Sequence, residues 1–176
     1  MSSPRVRYQL AVSIDGLIGP PDGNSDWLDP YGPVAITALE GFMPQIGGLV
    51  MGRVTYEQMR SFGPGPFDDT PTVVLTSRAD LAVGPMARVC TEGPRASIEM
   101  IRDRLDGKDI WLFGGGVTAS GFLAENLVDT IEITTVPVVL GTGMPLFPDV
   151  RGAVTFELVS SQVGESGTIT TVYARG

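Results

Sequence analysis

Lys108-Asp109-Ile110-Trp111-Leu112-Phe113-Gly114-Gly115-Gly116 reads as a buried strand running straight into three glycines, and Val117 to Glu125 behind them has helical character. Glycines at such a turn let the backbone approach an anion closely. The helix N-terminus adds free N–H groups and the positive end of its dipole. Gly114, Gly116 and Ala119 match G-x-G-x-x-A. A Rossmann unit also requires an acidic residue about 20 positions on and a continuing parallel series. Glu132 instead falls inside the alternating segment Thr130–Val136, and no such series follows. Two readings remain open at this point, a phosphate-binding turn outside the strict Rossmann pattern and a plain tight turn.

Upstream, Val6 to Ser13 is a strand, and the turn-rich stretch after it, from Asp15-Gly16 to Asp29-Pro30, is long enough to suggest a mobile lid or binding loop. A helix is expected from about Val34 to Gln45, a short buried strand over Gly48–Met51 and a helix over Val54–Ser61. Thr72–Leu75 and Ala87–Cys90 are further strands, with a helix over Arg95–Leu105 between them and the glycine turn. Downstream the pattern changes to β alone, with Thr130–Val136, Val154–Val159 and Thr168–Ala174 alternating. Alternating β/α units imply parallel strands and a β-rich tail implies an antiparallel edge. The expectation is one α/β domain, residues 1–176, around a mixed, mostly parallel sheet with an antiparallel C-terminal edge.

Two other turns share the chemistry of the first. Val50-Met51-Gly52-Arg53-Val54-Thr55-Tyr56-Glu57 also runs strand, glycine, helix. Arg53 can pair with a phosphate there and the Thr55 hydroxyl can donate to it, unless they serve as a surface charge and a helix cap. Thr76, Ser77 and Arg78 follow the strand Thr72–Leu75. That is the place where α/β sheets bind ligands, and an arginine there suits a ribose 2′-phosphate, favouring NADP over NAD. A polar loop start is the plainer alternative.

Composition removes whole classes of function. The net charge of -8 argues against a nucleic-acid partner. No apolar run approaches the roughly 20 residues that span a bilayer, and Met1-Ser2-Ser3-Pro4-Arg5 lacks the apolar core of a signal peptide. The expectation is a cytoplasmic protein that engages no membrane. Histidine is absent and Cys90 is the lone cysteine, so no metal motif and no histidine-based triad is available. An enzyme of this composition relies on carboxylates, hydroxyls or a cofactor with its own reactivity.

Ser13-Ile14-Asp15-Gly16-Leu17-Ile18-Gly19, Met51 to Glu57, Leu75-Thr76-Ser77-Arg78 and Phe113 to Gly116 together resemble the dihydrofolate-reductase-like superfamily. Val136 to Phe147, with Gly141-Thr142-Gly143-Met144-Pro145, looks like the branch containing the reductase domain of bacterial riboflavin biosynthesis. The resemblance covers nearly the whole chain. It implies a three-layer fold around a mixed sheet of about eight strands, with NADPH across the strand ends. Carried over by position, Gly52, Arg53 and Thr55 touch the pyrophosphate, and Thr76, Ser77 and Arg78 the adenosine ribose phosphate. Gly114, Gly115, Gly116, Val117 and Thr118 line the nicotinamide and diphosphate, and the Gly114–Gly115 peptide is the candidate for the family's cis bond. Ile18 and Gly19 flank the nicotinamide from the mobile loop.

The resemblance also implies hydride transfer to a pteridine-like or pyrimidine heterocycle, and a homodimer paired through sheet edges. Asp15 faces the substrate in the riboflavin-type branch, although on its own it reads as the former of an Asp-Gly turn. Trp27 is a wall over the substrate ring or a loop anchor, and Asp29 a proton relay or a turn former. Dihydrofolate reductases carry an acidic residue on the first long helix, where this chain has Ala35 or Ile36, and an arginine where it has Pro66-Phe67-Asp68. Both departures argue against folate as substrate. The alternative function is a non-catalytic nucleotide- or ligand-binding module that keeps the reductase fold.

Overall fold

The computed structural model describes residues 4–176 apart from the side chain of Ala35; Met1, Ser2 and Ser3, which enter the reading of the N-terminus, lie outside the described residues. The chain order is β1 (Val6–Ser13), β2 (Leu17–Gly19), α1 (Gly32–Phe42), β3 (Ile46–Gly52), α2 (Arg53–Ser61), β4 (Thr72–Leu75), β5 (Ala87–Cys90), α3 (Pro94–Arg102), β6 (Asp109–Gly114), α4 (Gly116–Ala124), β7 (Thr130–Val136), β8 (Met144–Pro145), β9 (Glu157–Val163) and β10 (Ile169–Ala174). Eight strands form one sheet in the order β5-β4-β3-β6-β1-β7-β10-β9, and β2 pairs with β8 separately. The six strands from β5 to β7 are mutually parallel, and β10 and β9 complete the edge antiparallel.

Alternation along the central strands builds the three layers. Val50, Val73, Ile110 and Leu112 turn to one face, where Ile101 of α3 and Ala119, Phe122 and Leu123 of α4 cover them. Leu49, Met51, Val74 and Trp111 turn to the other, against Phe42 of α1 and Tyr56 of α2. Strands buried on both faces must be apolar throughout, which is why β3, β4 and β6 read as unbroken apolar runs. Cys90 is a buried member of the first cluster.

The boundaries differ from the sequence expectation where a local signal is weak. Gly32-Pro33 starts α1 two residues earlier than Val34, since proline suits the first helical turn. The helix then closes in a 3-10 turn over Met43–Gln45. α3 ends at Arg102 rather than Leu105. The strand expected over Val154–Val159 runs from Glu157 to Val163 instead. Neither β2 nor β8 is apparent from sequence, because strands of three and two residues carry no periodicity.

The sheet carries one buried ionic centre. Arg7 Nε and Nη2 donate to the two carboxylate oxygens of Glu132 at 2.6 and 2.9 Å, and Nη1 donates to Gln45 Oε1 at 2.8 Å. The guanidinium also lies 4.5 Å from the centre of the Phe42 ring. Burial opposes the charge on Arg7, but the hydrogen bond to Glu132 and the charges of Glu132 and Asp109 outweigh it and hold the group above its ordinary pKa. Removing one partner of a buried pair leaves an uncompensated charge. Glu132→Ala is therefore expected to cost about 3 kcal/mol in denaturant unfolding, and a variant as stable as the parent would refute the pair's structural role.

Candidate functional site

Parallel pairing sets the strand ends side by side. Gly52 at the end of β3 is opposite Leu75 at the end of β4. Met51 is opposite Gly114 at the end of β6, and Ser13 of β1 is opposite Val136 of β7. Thr76-Ser77-Arg78, Gly52-Arg53-Thr55 and Gly114 to Thr118 therefore follow one another along a single edge, although more than 30 residues of chain separate Arg78 from Gly114.

The two glycine turns face each other. A Cβ added to Gly52 would come within 2.6 Å of Thr118 Oγ1, so any larger residue there would require the threonine side chain to move. Gly52 and Gly115 are the N-caps of α2 and α4, both extended and neither with a side-chain cap. N-terminal N–H groups without such a cap are free to bind an anion, and the helix dipoles add positive potential. Gly114 has φ of 139°, a conformation that favours glycine, and the space in front of it is open. The Gly114–Gly115 peptide is cis. Arg53 is half-buried at the start of α2 and pairs with Glu57 one turn on. Thr76 Oγ1 accepts from the Arg78 amide at 3.0 Å, forming a tight turn that leaves the Arg78 side chain exposed. Val117 is three-quarters exposed at the mouth of this groove.

A cavity of about 240 Å³, reached by Phe113 just before the glycine turn, lies between the sheet and α1. Its sheet wall is Gln9 and Ala11 of β1, Trp111 and Phe113 of β6, and Thr134 and Val136 of β7. Trp111 packs edge-on against Phe42, Phe67 and Phe113 at centroid distances of 5.1, 5.5 and 4.6 Å, which holds the aromatic wall rigid. Its indole N–H donates to the Gln9 carbonyl at 3.0 Å. A second compartment of about 510 Å³ continues outward along α1, sharing Gln9, Val34, Ala38 and Thr134 with the first.

The loop residues separate into two groups. Leu28 and Tyr31, in the 3-10 segment Asp26–Tyr31, line the inner cavity. Trp27 and Asp29 of the same segment do not; Trp27 is half-buried and Asp29 exposed. A 3-10 turn repeats every three residues, so Leu28 and Tyr31 share a face that Trp27 and Asp29 do not. Gln9, Tyr31 and Thr134 are the polar lining residues that the sequence reading missed. The Gly32-Pro33 helix start was a usable signal for Tyr31, whereas nothing local marks Gln9 or Thr134.

The segment expected to be a mobile lid is pinned at its start. β2 pairs with β8, the Leu146 amide donates to the Gly16 carbonyl at 3.0 Å, and Gly19 is buried against Met144. Ile18 and Gly19 thus sit in a two-stranded ribbon. Asp15 fastens the same ribbon: its carboxylate accepts from Ser13 Oγ at 2.6 Å and from the amides of Gly141 and Leu140 at 2.7 and 3.1 Å. These donors, the Ser13 hydroxyl foremost, hold its pKa at about 2. A carboxyl that stays ionised to such low pH is a clamp and a poor proton donor at neutral pH. The loop where a folate arginine would stand instead sends Phe67 into the aromatic wall and pairs Asp68 with Arg60 at 3.0 Å.

Comparison with known proteins agrees with this geometry. The family model described as the RibD C-terminal domain matches residues 4–170. The uncharacterized protein YwjB of Bacillus subtilis (strain 168) is 34% identical over 139 residues, covering 78% of this chain and 79% of that one. A crystal structure of a Shewanella sp. PV-4 protein named for riboflavin biosynthesis superposes with a TM-score of 0.79 at 28% identity, over 98% of this chain and 99% of that one. Dihydrofolate reductase from Enterococcus faecalis, complexed with NADP(H) and RAB-propyl, shares the fold with a TM-score of 0.66 at 22% identity, over 99% of this chain and 98% of that one.

The Asp15 clamp has a direct readout. Asp15→Asn is expected to speed amide hydrogen exchange at Leu140 and Gly141 relative to the parent. A group whose pKa is lowered on folding stabilises only while ionised, so the parent should lose the same protection as pH falls from 3.8 toward about 2. Exchange that is unchanged in the variant, after correction for intrinsic rate, would dismiss the clamp.

Proposed function

The chain belongs to the RibD C-terminal domain family, a reductase-type family, and from that premise we propose that it is an NADPH-dependent reductase of a pteridine-like or pyrimidine heterocycle. One observation carries the proposal: two helix N-termini without side-chain caps face each other across Gly52 and Thr118, with Arg78 on one side and an apolar cavity on the other. Adjacent strands lie about 4.8 Å apart, so the edge from β4 to β1 spans three spacings, about 14 Å. An extended dinucleotide fits along it. The amides at the starts of α2 and α4, with Arg53 and Thr55, would hold its diphosphate. Thr76, Ser77 and Arg78 receive the ribose phosphate at one end. Gly114 and Gly115 admit the nicotinamide at the other, beside Ile18 and Gly19.

NADPH bound in this way supplies a hydride to an electrophilic carbon in the cavity. The chain's residues position the acceptor: Trp111 and Phe113 offer flat faces, while Gln9, Tyr31 and Thr134 offer hydrogen bonds. Asp15 is ionised and Asp29 lies outside the inner cavity, so the proton that balances the hydride comes from water. The lack of a lining carboxylate in that cavity also favours the second reading, a module that binds the dinucleotide without turnover.

Calorimetric titration separates the readings. NADPH is expected to bind, and Arg78→Ala to weaken it by roughly 10- to 100-fold, the value of one or two charge-assisted hydrogen bonds, with NADH little affected. Absence of NADPH binding refutes both readings. Binding without loss of NADPH absorbance across a panel of pterins and pyrimidines supports the non-catalytic module.

The same reading extends to assembly in the cytoplasm as a homodimer through the β9 edge. Every residue of β9 is exposed, with Val163 at 82%, and Leu158 and Val159 beside it. An apolar edge strand with unpaired backbone groups invites pairing, and its antiparallel two-fold mate is self-complementary. Sedimentation should give a dimer that Val159→Lys with Val163→Lys converts to a monomer; a monomeric parent would refute it.

A further inference from the structure

We infer that the molecule accepted by the cavity between the sheet and α1 carries no phosphate or carboxylate: it is a flat unsaturated ring with a neutral or cationic polar substituent. This inference concerns the acceptor side of the site under the reductase reading, and rests on that reading only for calling the occupant a substrate. The inner compartment is lined by Leu28, Ala11, Val136, Trp111 and Phe113, which suits a flat apolar ring system. Its polar lining groups are the uncharged Gln9, Tyr31 and Thr134. A ring substituent long enough to leave this space enters the outer compartment, which shares the Gln9 and Thr134 wall.

Charge in the outer compartment decides what that substituent can be. None of the chain's 12 lysines and arginines lines either compartment. The cation nearest in the sheet is Arg7, two residues from Gln9. Its nitrogens are already engaged, two by Glu132 and one by Gln45. Two carboxylates do line the outer compartment, Glu132 and Glu165. Arg7 neutralises the first, and the second lies in the exposed turn between β9 and β10. A phosphate entering here would meet no lysine or arginine side chain on the wall and would face two carboxylates, one of them neutralised by Arg7. Neutral hydroxyls or an amine would instead find Thr37, Gln162 and Thr170 as partners. Both compartments are thus free of lysine and arginine side chains, whereas the starts of α2 and α4 lie at the strand ends that carry the glycine turns.

Matched pairs of coloured compounds test this. Riboflavin and its 5′-phosphate form one pair, and a ribityllumazine and its 5′-phosphate the other, each measured by equilibrium dialysis against the full-length chain without cofactor. The unphosphorylated member of each pair is expected to bind roughly ten-fold tighter, and Thr37→Lys or Gln162→Lys to narrow the gap. Equal or tighter binding of the phosphorylated members overturns the inference, as does failure of all four compounds to bind. NADPH oxidation is recorded in parallel. Ordered ring binding without oxidation would sink the reductase reading and leave the charge inference standing, whereas oxidation with the order reversed would do the opposite.

Discussion

The parallel hydrogen-bond register between β3 and its neighbours β4 and β6 is the constraint on which the site depends. In that register Gly52 lies opposite Leu75, and Met51 lies opposite Gly114. The pairing steps from Val50↔Leu112 to Met51↔Gly114, leaving Phe113 without a partner. Such a bulge re-aims side chains at a strand end. Here it brings the glycine turn level with Gly52 while Phe113 joins the cavity wall. Slipping the pairing by one residue would exchange the two faces of β6 and carry Trp111 out of the aromatic cluster.

Around that edge the molecule divides its electrostatics. The starts of α2 and α4 supply partial positive charge from backbone alone, which an acidic protein can do without a basic patch. Away from that edge, Arg5 pairs with Asp109, Arg7 with Glu132 and Arg60 with Asp68. Asp15 holds the ribbon of β2 and β8 through the amides of Leu140 and Gly141 in the β7–β8 connection. Sequence-distant pieces are therefore tied together close to the end of β1.

Much of this was legible from residues. β1, β4, β5 and β7 were read to the residue because β-branched and apolar side chains alternate or cluster between clear turn formers. The glycines at Gly52 and Gly114 to Gly116 marked strand-to-helix turns for a steric reason that acts locally. The ends that were misplaced, of α3 and β9, lack caps or breakers in the sequence itself. Trp27 and Asp29 drew notice as an aromatic and an acid in a loop. Which faces of that loop point inward depended on a 3-10 turn that the sequence does not announce.

By itself the sequence determined the α/β class, the order of strands and helices, the exclusion of histidine and cysteine chemistry, and the three turns with their arginines and hydroxyls. These follow from composition and from interactions spanning a few residues. Only the tertiary structure decided that Gln9, Tyr31 and Thr134 share a cavity, that Asp15 is a clamp, and that no cation lines the acceptor side. Each of these depends on strand neighbours far apart in the chain, β1 beside β7 and β2 beside β8. Pairing across such distances is settled by burial and register of the whole sheet, to which no single stretch of residues holds the key.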